Sequence, residues 1–197
     1  MKNTFFALAS MIALSACELN LGDSPLQNDI VNIDSTSGSF ETKTDDYGDF
    51  LTGSGAALYK SSLADESSMA TIHIRFALPH TDSSLTLHSH TTSALTKSYA
   101  LRFTRLGKSL RLISELNGDE AHSVGILESG ITNWDSPRTY TITIDNRGAT
   151  PQMKIWTLDG TEPVLEETRT EGFPQGRLVG FDALDAKIYH LRVESEE

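Results

Sequence analysis

Residues 70–78, Ala-Thr-Ile-His-Ile-Arg-Phe-Ala-Leu, alternate apolar and polar side chains. A period of two puts Ile72, Ile74, Phe76 and Leu78 on one face of an extended strand, whereas a helix would scatter them around its circumference. The same rhythm returns in Thr139–Ile144, where Tyr140, Ile142 and Ile144 share a face, and in Tyr99–Arg105 with Tyr99, Leu101 and Phe103. Leu106-Gly107-Lys108-Ser109 separates the latter from Leu110–Ile113 and predicts a hairpin. Phe50–Tyr59 opens the series; Lys154–Leu158, Val164-Leu165, Leu178–Phe181 and Lys187–Val193 extend it, and only Ser61–Met69 has room for a short helix. Strands at intervals of about ten residues, with no helical period, predict an all-β antiparallel β-sandwich or barrel, a single domain over residues 50–197.

Cys17 is the only cysteine, so no intrachain disulfide can support this sandwich and its core must hold it alone. Ahead of Cys17 stand Lys2, an apolar run from Phe5 to Leu14 too short to span a bilayer, and then Ser15-Ala16. That is the layout of a secretory signal peptide. Leu14-Ser15-Ala16-Cys17 resembles the lipobox of bacterial lipoproteins, which implies cleavage after residue 16 and lipid on the Cys17 thiol. Acyl chains contribute ~0.8 kcal/mol per buried methylene, so a multiply acylated Cys17 would hold the chain stably on a membrane. The resemblance places the protein in a bacterial cell envelope, and Glu18, by similarity to enterobacterial sorting, points to the outer membrane.

Between Cys17 and Asp49 the composition turns polar: Gly22–Pro25, Asp34–Ser39 and Thr42–Asp46 carry only scattered Ile30, Val31, Ile33 and Phe40. So little apolar surface cannot offset the entropy of ordering, and residues 17–49 are expected to be a lipidated flexible tether with at most a short strand at Ile30–Ile33. Asp45, Asp46 and Asp49 lack the spacing and terminal glutamate of a calcium loop, so no cofactor is expected. The formal net charge of −11 disfavours nucleic acid and anionic lipid as partners, and suits cations, neutral sugars or a basic protein.

Taken in order, the strands resemble the concanavalin A-like superfamily, laminin-G domains included. Phe50–Tyr59 is similar to its opening strand, and Tyr99–Ile113 to its strand, tight glycine turn and return strand. Trp134, Tyr140–Ile144 and the run Ile155–Gly160 resemble its tryptophan, central strand and apolar strand with Asp-Gly turn. Leu178–Phe181 and Ala186–Val193 resemble the closing pair. The resemblance spans about residues 50 to 195 and implies a jelly roll; an immunoglobulin-like sandwich, the other reading, would lack its Cys-Trp-Cys core.

That superfamily contains lectins, hydrolases, lyases and adhesion modules, so the fold leaves the activity open. Glycoside hydrolysis needs two carboxylates about 5–9.5 Å apart. The Glu-x-Asp-x-x-Glu strand of related glucanases has no counterpart, and Glu162, Glu166 and Glu167, like Glu115, Asp119 and Glu120, read as solvated rims. Alginate lyases of this fold carry Arg-Ser-Glu-Leu, Gln-Ile-His and Tyr-Phe-Lys-Ala-Gly strands. Ser114-Glu115-Leu116 and Ile72-His73-Ile74 resemble fragments of the first two, but in reversed order, with Ile113 in place of the arginine and without the tyrosine strand. A Gly-x-Ser-x-Gly elbow is also absent from the sequence.

His88-Ser89-His90 would put two imidazoles on one face of a strand, where they could ligate zinc or copper. Residues 81–98 read as a Ser/Thr-rich loop and supply no third ligand, so hydrogen-bonding surface groups are the plainer reading. Trp134, in the loop segment Asn133-Trp134-Asp135, could stack on a pyranose or pack over the sandwich edge, and Trp156 is undecided. The sequence therefore points to a lipid-anchored binding module for a glycan or an envelope protein, with Trp134, His88 and His90 as candidate contacts. A structural lipoprotein is the alternative, and a polysaccharide lyase or glycoside hydrolase ranks below both.

Overall fold

The computed structural model describes residues 33–35, 37–95, 97–116, 123–168 and 176–196; the signal segment, Cys17 and the rest of the chain up to residue 32 lie outside the described residues. The described chain forms strands β1 (Ile33–Ser35), β2 (Ser39–Asp45), β3 (Gly48–Tyr59), β4 (Met69–Ala77), β5 (Ser84–Thr91), β6 (Tyr99–Leu106) and β7 (Ser109–Leu116). They continue with β8 (Ser123–Glu128), β9 (Arg138–Asp145), β10 (Gln152–Thr157), β11 (Leu165–Thr168), β12 (Leu178–Leu184) and β13 (Lys187–Glu196). All pair antiparallel in one ladder, β11-β10-β9-β4-β13-β3-β12-β5-β6-β7-β8, with β1 and β2 added beside β3.

Laid flat, this ladder would hold β4 and β6 five strand spacings apart, about 24 Å. Instead the rings of Phe76 on β4 and Phe103 on β6 are 4.9 Å apart, and Tyr140 on β9 lies 6.1 and 6.2 Å from them. The ladder is therefore folded over into two layers. One layer holds β11, β10, β9, β4, β13 and the first half of β3; the other holds the second half of β3, β12 and β5 to β8. Ile72, Ile74 and Ile142 from the first layer and Leu87, Leu101 and Phe181 from the second meet in one core, each at most 1% exposed. The two ends of the ladder also meet. A Cβ on Gly125 of β8 would stand 3.2 Å from Leu165 of β11, and the Ser114 hydroxyl on β7 donates to Glu167 Oε2 on β11 at 2.7 Å.

The fold-over happens within β3. Its residues 48–54 pair with β2, Leu51 pairs with Ile188 of β13, and residues 54–58 pair with β12. Gly53 and Gly55, at φ of 144° and 134°, occupy the changeover in a region of backbone space that other residues rarely enter.

Three expectations need correction. Residues 33–49 are not all tether: β1, β2 and the start of β3 lie there, and β2 pairs over its whole length with β3. Its bonds are backbone bonds along an edge, which a polar strand makes as well as an apolar one, and Phe40 packs edge-on against Phe181 at 5.5 Å. Residues 61–69 form no helix. An Asx turn, with the Ser67 amide donating to Asp65 Oδ1 at 2.7 Å, competes with helical bonding, and Leu63 is the one buried apolar side chain of the segment. Residues 84–91 are strand β5 rather than loop, because Leu85 and Leu87 supply its core face.

Candidate functional site

Alternation along the second layer sorts its side chains. Leu85, Leu87, Leu101, Phe103, Leu110, Leu112, Val179 and Phe181 point into the core. Their neighbours Thr86, His88, Ala100, Arg102, Arg111, Glu115 and Asp182 therefore face outward. Two registers organise this outward floor: Asp182–Thr86–Arg102–Ile113 and Gly180–His88–Ala100–Glu115. Polar groups pair diagonally between them, His88 Nε2 with Asp182 Oδ2 at 2.9 Å and Arg102 with Glu115 at 2.8 Å. Ala100 and Gly180, both buried, form the middle of these registers. Leu95, from the segment joining β5 to β6, leans over Gly180 so closely that an added Cβ would stand 2.8 Å from its Cδ2.

His88 is held at both ring nitrogens. The Ser98 hydroxyl donates to Nδ1 at 2.9 Å and Nε2–H donates to Asp182, so the ring is fixed in one tautomer on the floor. The order Ser98–His88–Asp182 has the composition of a nucleophilic triad but is turned inside out. Ser98 is 2% exposed while the Asp182 side chain is half exposed, so no substrate carbonyl reaches the hydroxyl.

His90 does not share this face, contrary to the simple strand rule. Thr91 pairs with Leu178 and His88 with Gly180, so Ser89 and His90 together oppose Val179 alone. This is a β-bulge with His90 at φ 53°, and the extra residue reverses the phase of the strand. His90 is fully buried; Nε2–H donates to the Ser68 carbonyl and Ser89 donates to Nδ1, each at 3.0 Å. Burial lowers its pKa against the opposing pull of the Ser68 carbonyl, Asp65 and Asp145. The histidine pair therefore serves two separate networks, and among the described residues no group of three His, Cys, Asp or Glu could hold a metal ion.

Trp134 is part of the core at 9% exposure, with the Arg105 guanidinium 4.4 Å and that of Arg138 5.2 Å from its ring centre. Arg105 is anchored on the Pro79 carbonyl at 2.8 Å and Arg138 on Glu128 at 2.7 Å, so this clamp closes one end of the sandwich and leaves no open platform for a sugar. Trp156 faces outward on the first layer, since its neighbour Ile155 is fully buried. The lyase-like fragments are not assembled. His73 lies outward on the first layer, bonded to Thr141 Oγ1 at 3.1 Å, whereas Ser114 and Glu115 belong to the second.

The outward face of the first layer carries a second cluster, in which Phe50, Ala77 and Tyr189 bury one another. Asp45, read as part of the tether, accepts from Lys187 at 2.9 Å, from the Tyr189 hydroxyl at 2.8 Å and from the Tyr47 amide at 2.9 Å. Lys187 also reaches Asp135 at 3.1 Å and sits 5.0 Å over the Phe50 ring, so the adjoining cleft of about 270 Å³ has a covered aromatic wall and a paired ammonium. Burial opposes ionisation of Asp45, but the bonds from Lys187, Tyr189 and Tyr47 together outweigh it and lower its pKa. A carboxylate with a depressed folded pKa stabilises above the ordinary Asp value of about 3.9 and loses that stabilisation as pH falls through the folded value. Asp45→Asn is expected to cost on the order of 2 kcal/mol at neutral pH and much less near pH 2, so its urea midpoint should approach that of the wild type on acidification. A constant gap across that range would refute this account.

No protein-family model and no curated protein matches the chain. Solved structures do. A carbohydrate-binding module from Bacillus subtilis superposes with a TM-score of 0.51 at 12% identity, over 83% of this chain and 95% of that one. The lectin from Bauhinia forficata in complex with GalNAc gives 0.53 at 13% identity, over 88% and 96%. The metal-free carbohydrate recognition domain of Emp46p gives 0.55 at 13% identity, over 88% and 92%. At such identities the likeness is one of fold: this chain is an all-β, antiparallel jelly-roll sandwich.

Proposed function

We propose that this chain is a glycan-binding module, anchored to a bacterial envelope membrane by lipid on Cys17, and that it binds its ligand on the outward floor of the second layer. The floor carries the reading: hydroxyl, imidazole, guanidinium and carboxylate groups from β12, β5, β6 and β7 stand side by side around the small residues Ala100 and Gly180. Polar groups fixed in direction by neighbouring strands are what a ligand made of hydroxyls requires, and their mutual pairing limits the entropy lost on binding. The carbohydrate-binding module and the lectins of the same fold support this choice of ligand class. The anchor rests on the signal segment and Leu14–Cys17.

The test is binding of an oligosaccharide panel by the full chain extracted from membranes after growth with labelled fatty acid. We expect label on the protein, retention of at least one glycan, and at least a tenfold loss of affinity in Asp182→Ala, with the chain still folded and its melting temperature lowered only by the few degrees that the lost bond to His88 costs. Wild-type affinity in Asp182→Ala would move the site off this floor. An unlabelled chain in the soluble fraction would remove the anchor, and co-purification of an envelope protein without any glycan binding would favour the structural lipoprotein.

A further inference from the structure

One cation of the floor stands apart from the carboxylates. His88 is hydrogen-bonded to Asp182 and Arg102 is paired with Glu115, but Arg111 has no hydrogen-bond or ion-pair partner among the described residues. A chain of net charge −11 thus keeps a guanidinium that no carboxylate engages on the outward floor of its second layer. Arg111 pairs in register with Thr104, and Arg102 with Ile113, so the two arginines are diagonal neighbours with backbones about 7–8 Å apart.

Both arginines are also held down. The Nε of each is enclosed without a partner. Ile113, which points outward between them, is only 8% exposed. The stems therefore lie along the sheet rather than extend into water. An enclosed, unpaired N–H costs free energy, and two on adjacent strands mark a place where stability is given up. The return is two guanidinium ends already positioned, which lose little freedom when they bind an oxyanion by paired hydrogen bonds. Beyond Arg111 the same register reaches the half-exposed Ile126 of β8, and in the other direction it passes Thr104 and Ser84 to the half-exposed Leu184 of β12. That row crosses five strands, about 19 Å, longer than a single sugar ring.

From this arrangement we infer that the ligand is an acidic glycan, an extended oligosaccharide with a carboxylate or sulfate seated between Arg111 and Arg102, and its hydroxyls on Thr86, Thr104 and Asp182. This rests on the glycan-binding reading and names its substrate class. The experiment compares three probes of equal length on the full chain: an oligouronate, the same oligosaccharide after carboxyl reduction, and a sulfated oligosaccharide. An anionic probe should bind at least tenfold more tightly than the reduced one, with the advantage shrinking at high salt, and the two anionic arms identify which oxyanion is used. Arg111→Gln should abolish the advantage and Arg111→Lys should keep part of it, because the charge remains while the paired donors are lost. If the reduced probe binds as well as the anionic ones, or if Arg111→Gln keeps the preference, the acidic ligand is refuted while glycan binding stands. If none of the three binds and neutral glycans also fail, both readings fall.

Discussion

Replacing Gly55 with alanine is expected to destabilise the sandwich by about 4 kcal/mol or more. The added Cβ would lie 2.3 Å from the Ser37 carbonyl oxygen and 2.7 Å from the Gly38 Cα, both backbone atoms that no side-chain rotation can clear. The φ of 134° adds about 1–3 kcal/mol for a residue with a side chain. Relief would require the 37–38 segment to lift away, breaking its reciprocal backbone bonds with Ala56, both 3.2 Å. A total of about 4 kcal/mol or more is a large share of a marginal stability of roughly 5–15 kcal/mol. Gly48→Ala is the control, since φ there is 116° but nothing lies within 4 Å of its Cβ. Urea melts giving equal losses for the two variants would show that the crowding at Ser37 is not what matters.

The second large effect is expected at Ile142. It is fully buried, with Ile72 of β4 on one side of it in the ladder and Ile155 of β10 on the other. Truncation to alanine removes transfer free energy and leaves a cavity that the flanking strands cannot close, for a cost of about 2–5 kcal/mol. Thr141→Ala, one position along but outward, should cost about 1 kcal/mol, chiefly the hydrogen bond to His73. Similar losses at the two positions in chemical denaturation would mean that the two faces of β9 have been exchanged.

These predictions separate what the sequence announces from what only topology supplies. Strands β4, β6, β7, β9 and β10 were legible because one face of each is buried and the other is not, which writes a period of two into the residues. Strand β2 was not legible: its side chains are mostly exposed, and its place is set by backbone bonds and by the glycines it approaches. The turn at Asp65 hid the absence of a helix for a similar reason, since the bonds that decide it involve the backbone. In the site, His88 was visible as one member of a histidine pair. Its partner Asp182 was not, because the two are 94 residues apart and become neighbours only when β12 lies beside β5. The bulge that buries His90 depends on the same pairing, and neither strand reveals it alone. Trp134 was legible as a loop aromatic, but the two arginines that cover its ring come from either side of that loop, on β6 and β9.

The position of the last two strands bears on how the molecule is made. β12 lies between β3 and β5, and β13 lies between β4 and β3, so both joints that carry the ladder through its fold-over are built from residues 178–196. Segments made earlier can form the β2–β3 and β6–β7 hairpins, but neither layer is continuous with β3 until those residues have left the ribosome. Folding must then bring Met69 to Glu196 in one step of long loop closure, which places the chain among proteins that fold in milliseconds to seconds. Throughout that interval the inner edges of β4 and β5 stand unpaired, and a nascent chain that meets a second copy then can pair with it instead of with itself.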